Sequence, residues 1–172
     1  MKIFTKIIHF IMVILALLVQ VTFAEQLKFY SINLDLLMIC IISVAVVDGY
    51  YYGIIYGFVF GLLLDFMAGN IVGINALIYA LNAFIAARLV EMGIKRRLPV
   101  LLLIVFCITE VNLVMEAMLH YLFNYGLDIV QLGKEMIIKP IYSILLLLLI
   151  FPLFNLGQQK RWIFGFKSRE EA

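Results

Sequence analysis

Six apolar runs follow one another along this chain with little between them, and that pattern leaves few folds open. They cover roughly residues 7–24, 32–47, 50–68, 71–90, 98–123 and 136–156. A helix that crosses a bilayer needs about 20 mostly apolar residues. Hydrophobic residues make up 66% of the 172 and charged ones only 14%, more apolar surface than a soluble domain of this length can hide. The chain therefore reads as an all-α integral membrane protein, one transmembrane domain built as a six-helix bundle. A short basic tail, 157–172, follows. The second run is short, and the turns at Asp48-Gly49 and Gly69-Asn70 are tight. Pro99 and Pro140 are expected in first helical turns, where a missing N–H costs little, and Pro152 near the end of the last span.

Basic residues set the expected direction. Lys2 and Lys6 precede the first run, Arg88, Lys95, Arg96 and Arg97 fall around the fourth-to-fifth connection, and Lys160, Arg161, Lys167 and Arg169 follow the sixth. The opposite side holds only Lys28, Lys134 and Lys139. With six spans the basic groups share one face, which makes both termini cytoplasmic. The N-terminus also imitates a signal peptide, with two lysines, an apolar run and Thr22-Phe23-Ala24 before Glu25. Cleavage there would leave five spans with unchanged orientation; the six-span reading keeps the first.

Inside the third run, Gly53, Gly57 and Gly61 stand four residues apart, and the same step reaches Asp65 and Gly69. A helix turns about 400° in four residues, so these positions form one slowly spiralling stripe. Glycines so placed let another backbone approach closely. The fourth run has a matching small-residue face, Ala76, Ala80, Ala83 and Ala87, beside a polar one of Asn75, Tyr79 and Asn82. A close hairpin of the third and fourth spans is expected at the centre of the bundle, with packing against another subunit as the alternative.

Polar groups inside the runs concentrate toward the expected outer face. Asp35 begins the second span, Asp65 ends the third, and Asn75 lies early in the fourth. On the fifth, Thr109, Asn112, Glu116 and His120 share one helical face, and Glu110 lies off it. Each ionised carboxylate at mid-membrane costs about 2.5–3.5 kcal/mol, so partners are expected: His120 for Glu116, and Lys139 for Asp65 or Glu116. The group reads either as a buried polar outer vestibule that binds helices together or as a pocket for a small ligand, ion or proton relay. Cys40 and Cys107 lack metal-ligand spacing and read as buried thiols. Motifs for serine or metal-dependent hydrolysis and for phosphate binding are absent from the sequence; neither catalysis nor a cofactor is expected.

The stretches LDLLMICIISVAVVDGYYYGIIYGFVFG, Leu34 to Gly61, and GLLLDFMAGNIVGINALIYALNAFIAARL, Gly61 to Leu89, resemble the bacterial rod shape-determining protein MreD family. The elements that match are Asp35 early in an apolar run, the glycine ladder, the aspartate before Ala68-Gly69, then Gly73, Asn75 and Arg88. The resemblance implies a non-catalytic, multi-pass inner-membrane scaffold of the machinery for lateral peptidoglycan synthesis. It implies MreC as direct partner, MreB, RodA and a class B penicillin-binding protein as the wider complex, membrane lipid as surroundings, and no nucleic acid. It also implies a fold similar to the substrate-binding subunits of energy-coupling-factor vitamin transporters. An outward-facing small-molecule-binding transport subunit is thus the alternative function. The short connection Glu25 to Ser31 favours the scaffold, because those transporter subunits often bind through a structured loop there.

Overall fold

The computed structural model describes residues 2–23, 35–68, 72–92, 98–122 and 129–155. Among them are six helices and no strand: α1 (Lys2–Thr22), α2 (Leu36–Asp48), α3 (Tyr50–Ala68), α4 (Ile74–Glu91), α5 (Leu98–Leu122) and α6 (Ile129–Asn155). Four helices, α1, α3, α4 and α6, are long and apolar enough to cross a membrane. The apolar part of α5, Pro99–Met115, and the whole of α2 are shorter.

The position of α2 explains its composition. It packs against α1, α3, α4 and α6, and every residue from Leu37 to Val47 is buried. A helix surrounded on all sides has no use for a polar face. Its 13 residues rise only about 20 Å, less than the hydrocarbon thickness of about 30 Å, so its neighbours must shield its ends. Asp35 caps the start, its side chain accepting from the backbone N–H of Met38 at 3.1 Å. At the other end Gly49 alone separates α2 from α3, with φ +98, a conformation that costs glycine nothing and other residues a clash.

The helices α3 and α4 form the most extensive pair, and α5 sits at the edge, packed on α6 and touching α4. In α6 the structure departs from expectation. The helix starts at Ile129, so Pro140 and Pro152 both lie in its interior; Pro140 is not in a first turn. Hydropathy marks where a chain meets lipid, whereas the hydrogen-bonded ladder continues past that point. Residues 129–135, read from sequence as part of an outer connection, belong to the helix. Each proline removes an N–H, leaving the carbonyls of Met136 and Leu148 without their usual partners. The connections 24–34, 69–71, 93–97 and 123–128 and the tail from 156 lie outside the described residues, as does the signal-peptide-like site after Ala24.

Candidate functional site

The glycine ladder of α3 meets α4 and α2 at backbone distance. A Cβ at Gly57 would stand 2.7 Å from the carbonyl carbon and oxygen of Tyr79 and 2.8 Å from the nitrogen of Ala80. At Gly61 it would stand 2.6 Å from Cα of Ala76. At Gly53 it would overlap Cβ of Ala45 on α2 and stand 3.2 Å from Cβ of Ala83. The register is antiparallel: the glycines 61, 57 and 53 descend α3 as Ala76, Ala80 and Ala83 ascend α4. Ala76 and Ala83 are fully buried. Contact this close brings many backbone atoms within dispersion range, the main source of helix association where lipid removes the hydrophobic term.

Asp65, one turn beyond the ladder, is wholly buried. Its carboxylate accepts from the backbone N–H groups of Gly73 (2.8 Å), Asn75 (3.4 Å) and Ala76 (3.4 Å), and from the Asn75 side-chain amide (2.7 Å). The three backbone donors are free N–H groups that open α4. Gly73, the residue at its N-cap, has φ +102 and no side chain to cap with. Asp65 therefore supplies the cap from the neighbouring helix, a negative group placed at the positive end of the α4 dipole. This arrangement replaces the expected Asp65–Lys139 pair: backbone donors satisfy the carboxylate, while Lys139, inside α6 rather than in its first turn, lies 4.0 Å from Glu135. Gly69 lies outside the described residues.

A second polar group joins α1, α2 and α4 at the same end. Tyr79 donates its hydroxyl proton to Asp35 at 2.8 Å, Gln20 approaches the same oxygen at 3.5 Å, and the Leu37 N–H donates to the Gln20 side chain at 2.8 Å. Deeper, Asn82 donates to Asn112 at 2.9 Å, linking α4 to α5, and both amides meet the sulfur of Met38. Thr109 donates back to its own helix at Val105. Asp65, Asn82 and Asn112 are buried in helix contacts. Asp35, Asn75 and Lys139 are half-buried. The side chains of Glu116 and His120, and so their expected pairing, lie outside the described set.

At the opposite end, sequence reasoning missed a buried pair. His9 on α1 places Nδ1 2.6 Å from the Asp48 carboxylate and Nε2 3.0 Å from the Phe154 carbonyl in the last described turn of α6. The side chains of His9 and Asp48 are 1% and 7% exposed. A carbonyl can only accept, so Nε2 carries a hydrogen. The bond to Asp48 then needs one more proton, held by either partner, which makes the pair neutral as a unit. Asp48 ends α2, where an unpaired carboxylate would oppose the helix dipole. The signal was present: a lone histidine in an apolar run and an aspartate at a helix end. Their 39-residue separation concealed the pairing. Beside this pair Lys6 donates to the Tyr52 hydroxyl, and the Arg88 guanidinium lies 3.4 Å from Glu91 and over the rings of Tyr50 and Phe84. The start of α1 and the end of α6 thus share one end of the bundle.

These groups tie together helices that are distant in sequence, with donors and acceptors matched across each contact. Among the described residues no three His, Cys, Asp or Glu side chains group so as to hold a metal ion. Neither the curated proteins nor the solved structures contain a match to the chain. The family model for the rod shape-determining protein MreD matches residues 1–157, which include the glycine ladder, the Asp65 cap and both polar ends of the bundle, and the chain belongs to that family.

Proposed function

We propose that the protein is a non-catalytic scaffold of the bacterial inner membrane, holding MreC within the machinery that builds the lateral wall, with MreB, RodA and a class B penicillin-binding protein as the wider assembly. The observation that carries this reading is the family match over residues 1–157, whose description is rod shape determination. Geometry supports the scaffold part: Asp65, His9, Asp48, Asn82 and Asn112 are hydrogen-bonded between helices, an arrangement suited to rigidity rather than to turnover. Lys6 and Arg88 lie at the end shared by the start of α1 and the end of α6, and the excess of Lys and Arg on that side supports a cytoplasmic placement of both termini.

The test is complementation with co-purification. In a rod-shaped host depleted of its own MreD, the chain expressed with its cognate MreC is expected to restore rod shape and to retain MreC through affinity purification in mild detergent. Spherical cells together with loss of MreC would overturn the scaffold reading. Saturable binding of a vitamin by the purified chain would support the transport-subunit alternative instead.

A further inference from the structure

We propose that the outward face of α5 around Glu110 docks a transmembrane helix of another membrane protein, one that carries a basic side chain within its span. Glu110 is near the middle of α5 and is half-buried. It has no hydrogen-bond or ion-pair partner among the described residues. Helical spacing sets it on the same stripe as Leu103, Phe106, Cys107, Val114 and Met118, all exposed on the side of α5 turned away from the bundle. The buried side of α5, with Leu101, Ile104, Val105, Ile108 and Asn112, faces the other way.

An ionisable group within a span is expected to face the bundle interior or to pair. Glu110 does neither inside this chain, and α5 is the edge helix, packed on α6 and touching α4 only lightly. The surface is thus apolar except for one acceptor at mid-span, and its complement is an apolar helix with one donor at the same depth. A basic side chain satisfies the charge as well as the hydrogen bond. A second copy of this chain fits poorly, because a two-fold contact through this stripe would set carboxylate against carboxylate. This docking surface deepens the scaffold reading, on which it rests for the existence of a membrane partner, by giving the place and the chemistry of contact.

A photo-crosslinking residue placed at Val114, in the full chain in its native membrane, reads the face directly, with Leu15 on the exposed side of α1 as control. The expected result is a discrete adduct from Val114, absent from Leu15, which mass spectrometry identifies as a membrane protein with Lys, Arg or His inside a span. Glu110→Leu should reduce that adduct at least fivefold, and Glu110→Lys combined with an acidic residue at the partner's basic position should restore it. Purified Glu110→Leu should melt no lower than the parent, since it loses no internal partner. An adduct only with the chain itself, an adduct to a protein without a basic residue in its span, no adduct, no effect of Glu110→Leu, or a lowered melting temperature would each overturn the proposal. MreC recovery with the parent chain is measured in parallel. If the parent keeps MreC and the Glu110 face proves silent, only this inference fails; if the parent keeps no partner, the scaffold reading fails with it.

Discussion

Replacing Gly57 by alanine adds one methyl group and should weaken the protein, although alanine is the better helix former. The new Cβ would stand 2.7 Å from the Tyr79 carbonyl carbon, and ordinary contact begins at 3.4 Å. Relief requires α3 and α4 to part by about 0.7 Å at that level, and a gap of that size forfeits about a quarter to a half of each contact it opens. Overpacking of this kind costs about 1–3 kcal/mol, against about 1 kcal/mol of helix propensity gained. The expected net loss is up to about 2 kcal/mol, which lowers the melting temperature by about 2–4 °C per kcal/mol in a chain of this size. Two comparisons separate the close approach from any general effect of the substitution. Gly133→Ala, where a Cβ meets nothing within 4 Å, should be neutral or stabilising. Gly53→Ala clashes first with the Ala45 side chain, so Ala45→Gly should partly rescue it, whereas no side-chain truncation can rescue Gly57→Ala, whose obstacle is backbone. The buried thiol of Cys40 supplies the assay. Cys107, read from sequence as a buried thiol like Cys40, is instead exposed, because it falls on the side of α5 turned away from its neighbours. With it changed to serine, a thiol-reactive dye in mild detergent reports unfolding as Cys40 is uncovered on heating. Equal melting of Gly57→Ala and Gly133→Ala would refute close backbone contact as the role of Gly57.

Asp65→Asn turns a donor toward the N–H groups that open α4 and should cost about 2–3 kcal/mol by the same thiol assay; unchanged melting would remove Asp65 as the cap. His9→Ala and Asp48→Ala should each cost about 3–5 kcal/mol by stranding a buried partner, with the double variant less damaged than additivity requires, by about 1–3 kcal/mol in a double-mutant cycle. Asn82→Leu and Asn112→Leu should each destabilise by about 1–3 kcal/mol, and the pair together by less than either alone, because no amide is then left unpaired. An N-terminal tag should remain on the mature protein in an immunoblot, since cleavage after Ala24 would remove His9 and leave Asp48 buried without its partner.

The resemblance to the MreD family was legible because it rests on local spacing: Asp35 in an apolar run, glycines four apart, an aspartate one turn further, then Gly73 and Asn75. The match over residues 1–157 includes all of them. The cap formed by Asp65 was less legible, since acidic residues near membrane spans invite basic partners and the N–H groups of a neighbouring helix leave no mark in composition. Pro140 misled for a related reason. Its place beside a hydrophobic boundary suggested a first turn, but α6 begins well before it.

By itself the sequence determined the membrane-embedded helical class and the small-residue faces that α3 and α4 turn to each other, because burial in lipid and a 3.6-residue period act on neighbours along the chain. Only the tertiary structure decided who meets whom: Gly57 against the backbone at Tyr79, Asp65 against the start of α4, and His9 against Asp48 and the end of α6. Those choices depend on helix rotation and depth, and a difference of one residue in either turns a side chain by about 100° and moves it from a partner to the lipid.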